Sequence, residues 1–305
     1  MIWRRRAAAP GGGLRRARVV SAWLFLAPAM IALAFVALWP LLRTFWLSLT
    51  DAGLAAPLES RFIGLENYRL LLSDAEWWRS VRNTIIFAAV SVFIETILGL
   101  VIALALNVHF RGRGLLRAAM LIPWAMPTVV SAKLWAWMYN DVYGVINALL
   151  VGLGLIAAPI AWTADPQYAL SAIIIVDVWK STPFMALLIL AALQMLPDEL
   201  YEAAKVDGVG PLRGFVDITL PLIRPALVVA VVFRLLDAFR VFDLVYVLTG
   251  NTRETMSMSV FARQQLIEFQ DLGYGAAAAT AVFFVIAMFT VAFVTLLRVR
   301  TEATK

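Results

Sequence analysis

The chain has 305 residues, 62% hydrophobic and only 15% charged, with a mean hydropathy of +0.84 and a formal net charge of +6. Soluble domains run at about 45–50% apolar and about 25% charged, so this surplus marks a membrane protein. The absence of cysteine excludes disulfide scaffolds, zinc ribbons and thiol nucleophiles, and a single histidine, His109, excludes histidine-based metal clusters.

Residues 1–19 form a basic tail with Arg4, Arg5, Arg6, Arg15, Arg16 and Arg18. Beside an apolar run, such a cluster marks a cytoplasmic flank rather than a nucleic-acid site. The first apolar run covers 20–42. Its basic start and the "ALA" at 32–34 resemble a signal peptide, but it exceeds the usual core of about 7–15 residues, so a retained span is expected. A spanning helix needs about 20 apolar residues at about 1.5 Å each. Further runs of that length lie at 84–106, 115–138, 170–195, 226–248 and 275–297. The fold class predicted is an all-α membrane protein with six transmembrane helices. Pro123 and Pro127 predict a kink in the third span, and the small residues "GAAAATA" at 275–281 predict close helix packing, placed here inside the chain.

Lys and Arg set the direction. Residues 107–114 carry Arg111 and Arg113, 196–225 carry Lys205, Arg213 and Arg224, and 298–305 carry Arg298, Arg300 and Lys305. The segment 139–169 has neither, whereas 43–83 breaks the trend with arginines offset by acids. Both termini and 196–225 are therefore expected in the cytoplasm.

That last segment is patterned. Pro197 closes the fourth span, Asp198 suits a helix start, and Glu199 and Glu202 sit where the helix dipole favours anions. "ELYEAAKVD" reads as a short amphipathic helix, broken by Gly208, Gly210 and Pro211. "LRGFVDITLP" reads as a second short helix, after which Pro221 and Pro225 guide the chain into the fifth span. An apolar-faced knob of this kind normally buries that face against something.

Glu202, Ala203, Ala204, Asp207, Gly208, Phe215, Ile218, Leu220, Pro221 and Pro225 resemble, in one register, the "EAA" loop of permease subunits of bacterial binding-protein-dependent ABC importers. Val209, where alanine is usual, is the one departure. The resemblance implies a type I ABC importer permease fold, with the permease domain at 20–300, its EAA loop at 198–225 and a short tail at 301–305. It implies that the loop docks in a groove on a separate ATPase subunit and moves with it. In that role Glu202 and Asp207 make polar contacts, the alanines allow close approach and Gly208 supplies the bend. It also implies a second, related permease, two ATPase subunits that bind ATP and magnesium, an external sugar-binding protein, and residence in the bacterial inner membrane. No cofactor is bound by this chain itself. The sequence has no Walker motif, so it is not read as an ATPase.

Other stretches resemble sugar permeases: "FIGLENYRLLL" at 62–72, "VRNTIIF" at 81–87 and "YGVINALL" at 143–150. "VWKSTPFMALLILAALQMLPDELYEAAKVDG" and "FRLLDAFRVFDLVYVLTGN" are most similar to trehalose- and maltose-type permeases, with Asn251 standing where a second glycine is frequent.

Ionisable residues at mid-span cost roughly 2.5–3.5 kcal/mol each, so they rarely face lipid. Glu95, Lys133, Asp177, Lys180, Arg234, Asp237, Arg240 and Asp243 all fall within predicted spans. Asp177 and Lys180, three apart, are expected to pair. Arg234, Asp237, Arg240 and Asp243 alternate in sign at the same spacing, each neutralising the next along one helix. Some such charges only fasten helices together. Others are candidates for a hydrated path, with Trp179, Phe239, Phe242 and Tyr246 as aromatic surfaces for a sugar.

The reading is a permease subunit of an ATP-driven importer for a disaccharide such as trehalose or maltose. One alternative is an ABC permease for an anion, such as glycerol phosphate or a sulfonated sugar, attracted by Lys180, Arg234 and Arg240. An ion-coupled secondary transporter is a further alternative, disfavoured by the lack of an internal repeat. An intramembrane enzyme finds no HExxH or GxSxG motif to support it.

Overall fold

The computed structural model describes residues 12–55 and 60–302. Most of the basic tail, including Arg4, Arg5 and Arg6, and residues 303–305 lie outside them. The described residues are helical, apart from loops and two isolated bridges, Thr50 with Phe62 and Gly53 with Asp271.

The first span combines α1 (Gly12–Leu33), a π turn (Ala34–Leu38) and α2 (Trp39–Leu47). A proline ring clashes with the carbonyl four residues back, and the wider π turn just before Pro40 relieves that clash. Then come α3 (Glu66–Ser73) and α4 (Ala75–Asn107), the latter capped by Asp74, whose carboxylate accepts from the Glu76 N–H at 2.8 Å. The third span is split into α5 (Arg113–Met120), α6 (Ile122–Ala125) and α7 (Thr128–Met138). After α8 (Val145–Gly152) follow α9 (Ala169–Leu193), α10 (Asp198–Val206) and α11 (Pro211–Arg213). A second π turn (Gly214–Thr219) leads into α12 (Leu220–Ala238). The chain ends with α13 (Asp243–Thr249), α14 (Met258–Arg263), a third π turn (Gln264–Glu268) and α15 (Leu272–Glu302).

Among the described residues, five helices are long and apolar enough to cross a membrane, or six when the bent third segment counts as one. The first, fourth and sixth runs appear near their expected positions, and the second ends near its expected bound but begins at Ala75 rather than at 84. The other two differ. In the third, Arg113–Ala125 and Thr128–Met138 meet at 88°, a break rather than a kink, because Pro127 cannot donate and disfavours helical backbone at Met126, which is extended. The fifth span is Pro211–Ala238, not 226–248. It begins early because α11, the π turn and α12 run together, and it stops at Ala238, after which residues 239–242 turn the chain into α13.

The core forms around α4 and α9, which share the most extensive interface. Gly99 makes their contact possible: a Cβ there would stand 2.8 Å from Met185 Cγ. Phe87, Val92, Ile173, Val176, Met185 and Ile189 are buried at or near that interface. The other long helices complete the bundle, α12 lying against both members of this pair and α15 against α2, α3 and α14. Ala276, Ala277 and Ala278 are buried, so the small-residue run is an internal contact. At the end of the bundle where α4 begins, Asn83 Nδ2 donates to the Met256 carbonyl at 3.2 Å, and the Met258 N–H to Thr84 Oγ1 at 3.0 Å.

Candidate functional site

The apolar core surrounds one buried ionic centre. Arg234, on α12, is 3% exposed, and Glu95, on α4, is fully buried. Arg234 Nε donates to Glu95 Oε2 at 2.6 Å and Nη2 to Oε1 at 3.1 Å. Nη2 also pairs with Asp177 on α9, and Nη1 donates to Asp237 Oδ2 at 2.7 Å. A planar guanidinium with five donors suits such a fan, where a lysine would act as a point charge. One side chain thus joins three helices.

Two expected pairings are not built. Asp177 pairs with Arg234, while Lys180 Nζ turns away and donates to the carbonyls of Met126 at 2.7 Å and Trp124 at 3.3 Å. The alternating row along the fifth span also stops short. Arg234 and Asp237 do pair, but the helix ends at Ala238 and Arg240 Nε donates to the Leu236 carbonyl at 3.2 Å. Without a continuous helix the three-residue spacing no longer places Arg240 beside Asp243.

Beside the ionic centre, and sharing Asp177 and Asp237 with it, lies a polar cavity of about 210 Å³, lined also by Thr128, Lys180, Ser181, Arg240, Val241, Phe242, Asp243 and Leu244. Phe242 is stacked on Tyr246, centroids 5.4 Å apart, and the Arg263 guanidinium covers the Tyr246 ring at 4.3 Å. The cavity therefore gathers Asp177, Lys180, Asp237, Arg240, Phe242 and Asp243, with Tyr246 behind Phe242. Glu95 and Arg234 do not line it. Trp179 meets Trp135 edge-on at 5.5 Å, and Phe239 is buried against Phe289 at 5.0 Å. Sequence reasoning missed Thr128 and Ser181 as lining residues. Uncharged hydroxyls raise no alarm in an apolar run, although Ser181, four after Asp177, shares its helix face.

The second feature is the knob at the far end of α9. In α10, Ala204 is buried, while Glu202, Ala203 and, just past the helix, Asp207 are exposed. Gly208 has φ +73°, a left-handed conformation that a side chain disfavours, and the Val209 N–H closes the turn on the Ala204 carbonyl at 2.8 Å. "LRGFVDITLP" is not a separate helix but the opening of the long fifth one. There the Leu220 N–H reaches the Phe215 carbonyl, five residues back. This π turn precedes Pro221, as the first one precedes Pro40. Phe215 and Ile218 are half-buried, and Tyr201 and Thr219 hydroxyls meet at 3.0 Å, fastening α10 to the π turn. Val206 and Leu212 stay 89% and 76% exposed, so the knob keeps an apolar surface. A cleft of about 680 Å³ separates it from the ends of α4 and α9, bordered by Asn107, Leu193, Tyr201, Lys205 and Phe215 among others.

Six apolar segments, a polar cavity inside them and a knob continuous with one span define a multi-pass membrane transport subunit. Residues 95–302 match the family described as binding-protein-dependent transport system inner membrane component. The chain is 45% identical over 283 residues to the trehalose/maltose transport system permease protein MalF of Thermococcus litoralis, covering 92% of this chain and 94% of that one. It is 39% identical over 262 residues to the sulfoquinovosyl glycerol transport system permease protein SmoG of Agrobacterium fabrum, covering 85% and 84%. A bacterial ABC transporter involved in the import of alginate, an acidic polysaccharide, shares the fold, with a TM-score of 0.80 at 23% identity over 92% of this chain and 96% of that one. The chain belongs to the inner-membrane-component family of binding-protein-dependent transport systems, and it is an ABC importer permease subunit rather than an enzyme.

Proposed function

We propose that this chain is one of two related permease subunits of an ATP-driven importer for a disaccharide such as trehalose or maltose. Two ATPase subunits on the cytoplasmic side supply the energy, and an external sugar-binding protein delivers the substrate. The termini and the knob face the cytoplasm, in line with the distribution of Lys and Arg.

The observation that carries this reading is continuity. The residues that match the EAA pattern sit on α10, on the turn that follows it and on the opening turns of the helix that carries Arg234 and Asp237. A partner that grips Glu202 and the exposed apolar knob, and moves it, also moves the ionic centre and one wall of the cavity. Closure of the ATPases thereby changes which side of the membrane the cavity faces.

The cavity chemistry supports a neutral, hydroxyl-rich substrate. Asp177, Asp237 and Asp243 nearly balance Lys180 and Arg240 around it. Carboxylates and cations together hydrogen-bond hydroxyls, and Phe242 offers an aromatic face. At about 210 Å³ the cavity falls below the roughly 300–1,000 Å³ of small-molecule sites. That size suits half of a path completed by the second permease.

The anionic reading has its own support. One relative is named for sulfoquinovosyl glycerol, and Lys180 and Arg240 offer cations. The deciding experiment is uptake of labelled trehalose, and in parallel of labelled sulfoquinovosyl glycerol, in cells deleted for this chain, with and without the restored gene, against excess unlabelled maltose or sulfoquinovosyl glycerol. Restored uptake blocked by maltose alone supports the disaccharide reading. Uptake of only the sulfonated ligand replaces it with the anionic one.

A further inference from the structure

We propose that Lys180 is the positioning residue of the cavity, holding the elbow of the third span in place with two of its N–H donors and presenting the third to the substrate. The inference rests on the transport reading only in treating the cavity as the substrate path.

The elbow creates an electrostatic need. The helix α6 ends at Ala125, and Pro127 brings no N–H of its own. The last carbonyls of a helix lack partners inside it and take a donor from elsewhere. Lys180, from the neighbouring α9, reaches across and donates to the Trp124 and Met126 carbonyls at 3.3 and 2.7 Å. An ammonium has three donors, so one remains.

The same helix grips the elbow a second time. Phe184, one turn beyond Lys180, stacks on Trp124 with centroids 5.1 Å apart and rings 12° from parallel. On the other limb, Trp135 of α7 meets Trp179 of α9. The elbow is thus mounted on α9 through both limbs. Its first residue past the bend, Thr128, lines the cavity together with Lys180. The groups around that ammonium are acids on two elements, Asp177 beside it on α9 and Asp237 on α12, with Arg240 and Asp243 on the same wall. A sugar hydroxyl entering between them meets a donor already fixed to the elbow, so filling the cavity and holding the bend become one event.

The natural absence of cysteine allows a test that does not read transport. Thr128→Cys is placed in the full importer in sealed membrane vesicles, and its reaction with a small membrane-impermeant methanethiosulfonate is timed. Losing a charge-assisted hydrogen bond shifts a conformational balance by about tenfold. Lys180→Met should therefore change the labelling rate by about that factor, and Lys180→Arg, which keeps donors within reach, should largely restore it. Phe184→Ala should shift the rate in the same direction, which keeps the test decisive if Lys180→Met fails to assemble. Unchanged labelling in Phe184→Ala, and in Lys180→Met where it assembles, overturns the proposal. Because the readout is thiol reactivity, an altered rate in a complex that carries no disaccharide would sink the sugar assignment and leave the elbow role standing.

Discussion

Arg234 holds Glu95 through two parallel hydrogen bonds, 2.6 and 3.1 Å long, between helices whose residues lie 139 positions apart in sequence. The bidentate geometry fixes distance and rotation together, so the helix that starts at the knob is keyed to α4 at the centre of the bundle.

Breaking that key is expected to be costly. Arg234→Met strands Glu95 without a counter-charge, which destabilises a buried pair by about 3–5 kcal/mol. Thermal unfolding in detergent should show a large drop for Arg234→Met and for Glu95→Met. The double variant should recover part of it, because Glu95 is then no longer stranded, and only part, because Asp177 still loses its partner. Strictly additive losses would show that the two residues do not act as a unit.

Packing between α4 and α9 makes a second prediction. Gly99→Leu places a branched side chain where even a Cβ would stand 2.8 Å from Met185 Cγ. Overpacking of this kind costs about 1–3 kcal/mol. Pairing it with Met185→Ala should return the unfolding midpoint most of the way. No rescue would locate the strain elsewhere.

Much of this fold was legible in the sequence because hydropathy and length alone define a span. The helix Ala169–Leu193 shows this, starting and stopping near its apolar run, whereas Ala75–Asn107 stops near its run but starts before it, behind the Asp74 cap. The two broken segments were harder, for different reasons. Pro123 and Pro127 announced trouble in the third, but a proline gives no angle. In the fifth, the stretch Ala238 to Asp243 has neither glycine nor proline, so nothing local marks the end of α12. Its only signal was charge, since Arg240 and Asp243 make a poor lipid-facing helix. The partners of Arg234 lie on other helices, and sequence spacing sees only neighbours on the same one. The Lys180 contacts were hidden likewise, because their acceptors are backbone carbonyls.

Acid should loosen one contact at the end of the bundle opposite the knob. Asn251 Nδ2 and Arg263 Nη1 donate to the Glu268 carboxylate at 2.6 and 2.7 Å, and these bonds hold its pKa below the usual glutamate value. A carboxyl depressed in the folded state adds stability above its unfolded value of about 4.3, and loses it as pH falls through the folded value. The unfolding midpoints of the wild type and Glu268→Gln should differ at neutral pH and converge as pH falls below the unfolded value through the lower folded one. The site is exposed, so the gap will be small and will shrink with salt. A gap that widens on acidification would contradict the assignment.

Strain at the turn of the knob gives a functional prediction. Gly208→Val adds a β-branched side chain at φ +73°, a conformation that costs an L-residue about 1–2 kcal/mol. The turn lies outside the bundle, with nothing within 4 Å of the added Cβ, so insertion and folding of the spans should survive. In reconstituted complexes the variant should retain ATP hydrolysis while uptake falls. Normal uptake would remove the turn from the coupling route.

Cross-linking at the knob tests the central claim most directly. With no native cysteine to interfere, Glu202→Cys is the single thiol in the subunit. In the assembled importer, a short bifunctional thiol reagent should join it to a cysteine in the ATPase subunit, and an impermeant thiol reagent added outside intact cells should leave it unmodified. Labelling from outside, or a working complex in which position 202 never cross-links to the ATPase, would contradict the account.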